Sequence, residues 1–264
     1  MGLRLSVLTV IAGLIWAMIP VTDRGGCGCL QCHRPHHEKL GVCMDCHRGD
    51  PRTNRIRIAH YRLIPGKYAR FRLPDNPVID AGRRLITQFA CRRCHRIGTS
   101  GNRLAADLDR LLPKVQPQNL AAAIKEPVPS MPDFYFSDTH VTKLVNAILD
   151  GRADIASGTA EAPLIIHFEN NTPNRENLFD RHCGSCHRLL TRKAGGLGRG
   201  HMGPNLSGLL SEFYPQNFKN GQAWDAVGLK KWTENPRNIR PNAQMIPLEL
   251  TDGEFTQLVR LFQN

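Results

Sequence analysis

Helical periodicity is missing from residues 27–73. Pro35, Pro51 and Pro65, with Gly41, Gly49 and Gly66, break every run before an amphipathic helix of ordinary length can form. Acidic side chains are scarce: 23 Asp and Glu stand against 35 Lys and Arg, a formal net charge of +12 over 264 residues. Long apolar runs are lacking outside residues 5–21. That run is short for a membrane span and long for the apolar part of a signal peptide. After Trp16 no small residues are spaced for a signal peptidase. Arg24 stands three residues before Cys27, where a lipidation signal wants Leu. These absences favour residues 1–26 as an uncleaved signal/anchor segment, an N-terminal membrane helix. Nothing in the chain reads as a signalling module.

One short pattern is present in excess. Of nine cysteines, eight fall in four copies of C-x-x-C-H. The copies are Cys29-Leu30-Gln31-Cys32-His33, Cys43-Met44-Asp45-Cys46-His47, Cys91-Arg92-Arg93-Cys94-His95 and Cys183-Gly184-Ser185-Cys186-His187. A single copy fits a thiol pair or half a zinc site. Four fit the attachment of c-type haem. Two thiols a short loop apart form thioethers with the two vinyl groups of one porphyrin, and the next residue offers its imidazole to the iron. The count implies four covalently bound haem c groups, with His33, His47, His95 and His187 as proximal iron ligands. Such thioethers are made outside the cytoplasm, which implies an exported protein on the periplasmic side of the cytoplasmic membrane. Four haems also bring roughly eight propionate carboxylates. The basic excess is therefore read as propionate partners and solvated surface, with no nucleic acid as partner.

The chain divides at its prolines. Residues 27–73 form an irregular dihaem segment, and 74–77 read as a linker. A second region runs over 74–164, with helices expected over 80–89, 119–125 and 138–149, the last stopped by Gly151. Residues 162–173 read as another linker, with a short strand at 164–166. The third region, 165–264, repeats the second. It has a lead-in over 175–182, a helix over 229–234, and a closing helix begun by the capping-box pattern Thr251-Asp252-Gly253-Glu254. The expected fold is mainly α.

The two later regions share an order of parts: entry helix, haem motif, loop, a helix ending in Glu126-Pro127 or Asn235-Pro236, a Met close to a Pro, and a closing helix. The Met–Pro stretches are Ser130-Met131-Pro132 and Gln244-Met245-Ile246-Pro247. This order resembles the class I cytochrome c family twice over. The resemblance implies that the entry and closing helices cross, and that Met131 and Met245 are distal iron ligands. Gly203-Pro204-Asn205-Leu206 is similar to the family's loop after the haem motif, which implies that the Pro204 carbonyl holds His187 Nδ1. The second region has Thr99-Ser100-Gly101-Asn102-Arg103 instead, and no carbonyl for His95 is identifiable. His201 and Met202 lie too close to His187 to reach round a porphyrin.

The first segment resembles small bis-histidine multihaem proteins. Its free histidines are His36, His37 and His60, and two haems need two distal ligands. His60 is expected to serve with one of His36 and His37, His37 being preferred. The resemblances together imply a tetrahaem c-type cytochrome that relays electrons in a respiratory chain. Its partners would be a membrane donor and a periplasmic or outer-membrane acceptor. Six-coordinate irons leave no place for substrate, so no catalytic residue is expected. The alternative is a haem enzyme with one open iron: an oxyanion or peroxide reductase, or a quinol dehydrogenase.

Overall fold

The computed structural model describes residues 28–111, 115–153 and 177–263. The expected anchor at 1–26 and the expected strand at 164–166 lie outside these residues. Among the described residues no helix is long and apolar enough to cross a membrane. The fold is mainly helical, with one small hairpin.

In the first segment the helices are short: α1 (Gly28–Cys32), α2 (Cys43–His47) and α3 (Ile56–Ala59). α2 is the second haem motif itself, and α1 covers the first motif up to Cys32, with His33 N donating to the Cys29 carbonyl at 2.8 Å. One helical turn sets residues i, i+3 and i+4 on one face, so it brings both thiols and the imidazole of a motif together. Backbone bonds do the rest. Gly28 donates to the Pro51 carbonyl at 2.7 Å and Asp50 to the Ala59 carbonyl at 2.9 Å. These two bonds fold the end of α3 back over the start of α1.

The second region is built on two crossing helices, α4 (Pro77–Gln88) and α6 (Asp138–Ala153), with α5 (Pro117–Lys125) against α6. Asn76 caps α4 by accepting from Val78 N at 2.9 Å, and Pro77 occupies the first turn, where its missing N–H costs nothing. The helices meet at Gly82, where any Cβ would strike the Lys143 carbonyl and Ala147. Ile86, Val141, Val145 and Ile148 fill the core around the crossing. Gly151 does not stop α6, which runs on through Ala153. A Cβ added at Gly151 would meet Gly98, in the loop after the haem motif, at an ordinary contact distance of 3.5 Å.

The packing does not break at the expected linker. Ile64, Tyr68 and Ala69 of the dihaem segment belong to the same core as α6. Asn146, fully buried on α6, accepts from Phe71 N at 3.1 Å and donates to the Lys67 carbonyl at 2.8 Å and the Thr142 carbonyl at 2.9 Å. A buried amide with its polar atoms paired specifies one docking geometry, because any slip would orphan them.

The third region has α7 (Leu178–His182), α8 (Ala226–Glu234) and α9 (Asp252–Phe262). The entry–closing contact is an edge-to-face pair here, Phe179 on Phe262, with centroids 6.2 Å apart and planes at 84°. The capping box forms: Glu254 N donates to Thr251 Oγ1 at 3.2 Å and Thr251 N to Glu254 Oε2 at 3.0 Å. One feature was not expected from sequence. The strands β1 (Leu189–Thr191) and β2 (Gly195–Leu197) pair antiparallel, Leu189 opposite Leu197, directly after the fourth motif.

Candidate haem sites

Three of the four motif histidines are held alike. His47 Nδ1 lies 2.9 Å from the Ile64 carbonyl, His95 Nδ1 2.8 Å from the Ala106 carbonyl, and His187 Nδ1 2.8 Å from the Pro204 carbonyl. A carbonyl only accepts, so each Nδ1 carries the proton and each Nε2 keeps its lone pair for a metal. This is how metal-binding imidazoles are oriented. Burial also lowers the pKa of His95, opposed by its bond to Ala106, which keeps the ring neutral. Burial pushes the Cys91 and Cys183 thiols up to about 11. Among the described residues no three His, Cys, Asp or Glu gather as they would round a bare metal ion, and no disulfide joins the motif cysteines. The donor sets fit porphyrin anchors better than zinc sites.

Two routes lead to the same ring orientation. In the third region Gly203 lies so close that a Cβ there would strike the His187 ring, and Pro204 follows with the accepting carbonyl. The second region has no Gly-Pro. Its loop is held by the buried carboxylate of Asp109, which accepts from Gly98 N at 2.6 Å and Thr99 N at 2.7 Å, with Arg96 3.7 Å away. Leu104 and Ala105 both donate to the Cys94 carbonyl, and this turn presents the carbonyl of Ala106 to His95. No sequence pattern marks that carbonyl.

In the dihaem segment the histidine rings pair. His33 and His60 have centroids 6.1 Å apart, and His36 and His47 have centroids 5.7 Å apart. Imidazole nitrogens bind first-row metals at about 2 Å, and each centroid lies about 1 Å behind its nitrogen, so two rings on opposite sides of one iron sit roughly 6 Å apart. Both pairs have that separation. His37, the preferred ligand from sequence, packs edge-on against His36 at 5.1 Å, and its backbone is left-handed. It is His36 that meets His47. A cavity beside this pair is lined by Cys43, Cys46 and His47 on one side and by His36, Arg57 and Arg70 on others.

Of the two predicted distal methionines, Met245 has its sulfur 3.0 Å from Trp232 Nε1, which donates to it. Met131 is half-buried in a loop turned by its own N–H donating to the Val128 carbonyl at 2.9 Å. Met202 is 85 % exposed, and His201 is also exposed.

The second and third regions meet at these sites. Arg93, inside the third motif, donates to the Asn205 carbonyl at 3.1 Å and lies over the Tyr214 ring at 5.5 Å. Asn102 donates to Ser211 Oγ at 2.8 Å. Cys94 and Leu104 pack on Leu190 of β1. Cys91, the other thiol of that motif, packs on the second region's own core around α6, which Cys46 and Ile64 also join. The second region thus meets the dihaem segment through this core and the third region through Cys94 and Leu104.

The sequence model of one family, described as cytochrome C oxidase, cbb3-type, subunit III, matches residues 77–146. No curated protein and no solved structure matches the chain. The match spans α4, the third motif and the first half of α6. It supports a c-type cytochrome, with covalently bound haem c and haem-based electron transfer.

Proposed function

We propose that the chain is a tetrahaem c-type cytochrome that carries electrons in line, from the dihaem segment through the second region to the third. The observation behind this order is that the second region packs on both neighbours: its core takes in Ile64, Tyr68 and Ala69 of the dihaem segment, and Cys94 and Leu104 pack on Leu190 of the third region.

Bound haem supplies a reversible one-electron Fe(II)/Fe(III) couple. The chain's own residues set its surroundings. His33 with His60 and His47 with His36 give two bis-histidine sites, supported by the ring separations, so His36 takes the place given to His37. His95 with Met131 and His187 with Met245 give two sites whose thioether ligand raises the potential above that of bis-histidine. The carbonyls of Ile64, Ala106 and Pro204 fix the proximal rings. Buried Phe179, Ile86 and Val145 exclude water from the cores behind them. Electrons would run from a membrane donor, near residues 1–26, toward a periplasmic or outer-membrane acceptor. Basic faces such as Arg83-Arg84 and Lys230-Lys231 suit transient docking of that partner.

The test is made on the purified full-length protein. Intact mass gives the number of haems, with four expected. Carbon monoxide added to the dithionite-reduced protein should leave the spectrum unchanged, since every iron has two protein ligands. A response from about a quarter of the haem would mean one open iron, and the enzyme alternative would replace the relay.

A further inference from the structure

The loop that carries Met131 is held by the other haem unit. Arg188 Nη1 donates to the Pro129 carbonyl at 2.5 Å, and Asn205 Nδ2 donates to the Ser130 carbonyl at 2.9 Å. The two acceptors are the residues immediately before Met131. The two donors are equally well placed. Arg188 directly follows His187, and Asn205 directly follows Pro204, whose carbonyl orients His187. The hairpin runs near this loop: a Cβ added at Gly196 of β2 would lie 3.8 Å from Ser130 Cβ. Both donors are themselves fixed. The Arg188 guanidinium also donates to the Arg199 carbonyl through Nε and Nη2, each at 3.2 Å, and Asn205 Oδ1 accepts from Ser207 N at 3.0 Å.

We infer that Arg188 and Asn205 are positioning residues for the distal ligand of the second region's haem, acting across the boundary between the two units. Within its own region the Met131 loop has one short turn and an exposed flank at Val128. The two donors from the third region complete its hydrogen bonding and set where the thioether sits. The same two chain positions adjoin the proximal ligand of the fourth haem and that ligand's carbonyl. This inference rests on Met131 being an iron ligand.

The test uses the full-length, haem-loaded protein and reads the far-red charge-transfer absorption of ferric haem bound by methionine sulfur. All variants are made on a Met245→Ala background, so that the fourth haem contributes none of the band. Asn205→Asp keeps the acceptor for Ser207 but turns an oxygen toward the Ser130 carbonyl, and Arg188→Leu removes the other donor. Each should weaken the remaining band, and the pair together should abolish it, with haem content unchanged and the midpoint potential of that haem lowered. Met131→Ala on the same background is the control and should abolish the band alone. If Met131→Ala abolishes it while the Arg188 and Asn205 variants leave it intact, the positioning role is overturned and the ligand assignment stands. If Met131→Ala leaves it intact, both fall. Lowered thermal stability with an unchanged band would mark the contact as ordinary interface packing and would also overturn the inference.

Discussion

His33 and His60 face one another with ring centroids 6.1 Å apart, although one closes the first haem motif and the other caps α3. The bonds from Gly28 to Pro51 and from Asp50 to Ala59 bring them together. His60→Ala should open one iron. Carbon monoxide should then change the reduced spectrum of about a quarter of the haem. His36→Ala should do the same at the second motif, and His37→Ala should do nothing. A response from the His37 variant and none from His36 would reverse the assignment.

Trp232 donates to the sulfur of Met245, which makes that thioether a poorer electron donor to a ferric iron. Trp232→Phe keeps most of the ring and removes the donor. The midpoint potential of the fourth haem should fall by an amount on the order of tens of millivolts. A redox titration followed by absorbance measures it, and the other three midpoints should not move.

Gly203→Ala places a methyl group where the His187 ring now lies. Forcing an extra carbon into such a site costs about 1–3 kcal/mol. The ring should turn off its Pro204 carbonyl, and the fourth haem's methionine absorption should weaken or vanish.

The Glu254 carboxyl is held below its ordinary value near 4.5, first by the Thr251 backbone N–H and then by its hydroxyl. A depressed carboxylate stabilises the fold at pH above its unfolded pKa, and that contribution is lost as pH falls through the lower folded value. The apparent melting temperature of the third region should therefore drop on acidification below about pH 4.5, less steeply in Thr251→Ala than in wild type. At neutral pH the loss of the Thr251 cap costs about 1 kcal/mol. Differential scanning calorimetry across that window measures both.

Much of the plan was legible in the chain. The capping box at Thr251 and the helix start at Asp138 follow from local chemistry, because a cap satisfies backbone groups within a few residues of itself. Pro204 as partner of His187 followed from the Gly-Pro signature that the family resemblance supplied. Ala106 did not, because any residue has a carbonyl and only the Asp109-held loop aims this one. Gly151 was misread as a stop, because glycine is common past helix ends but is also tolerated inside a helix, and α6 continues to Ala153. His36 and His37 could not be separated by spacing, since adjacent residues point apart and the left-handed backbone at His37 determines which ring turns toward His47.

By itself the sequence determined the chemistry: four thiol pairs, each with its histidine, and the helices whose caps and periodicity are local. Only the tertiary structure decided which histidines meet. The pairing of His33 with His60 and of His36 with His47, the merging of the dihaem segment with the core of α6, and the grip of Arg188 and Asn205 on the Met131 loop all join residues far apart in the chain. Such contacts depend on how whole elements pack. A bond from Asn205 to Ser130 leaves no periodicity or spacing in the sequence, and it exists only once the two units have docked.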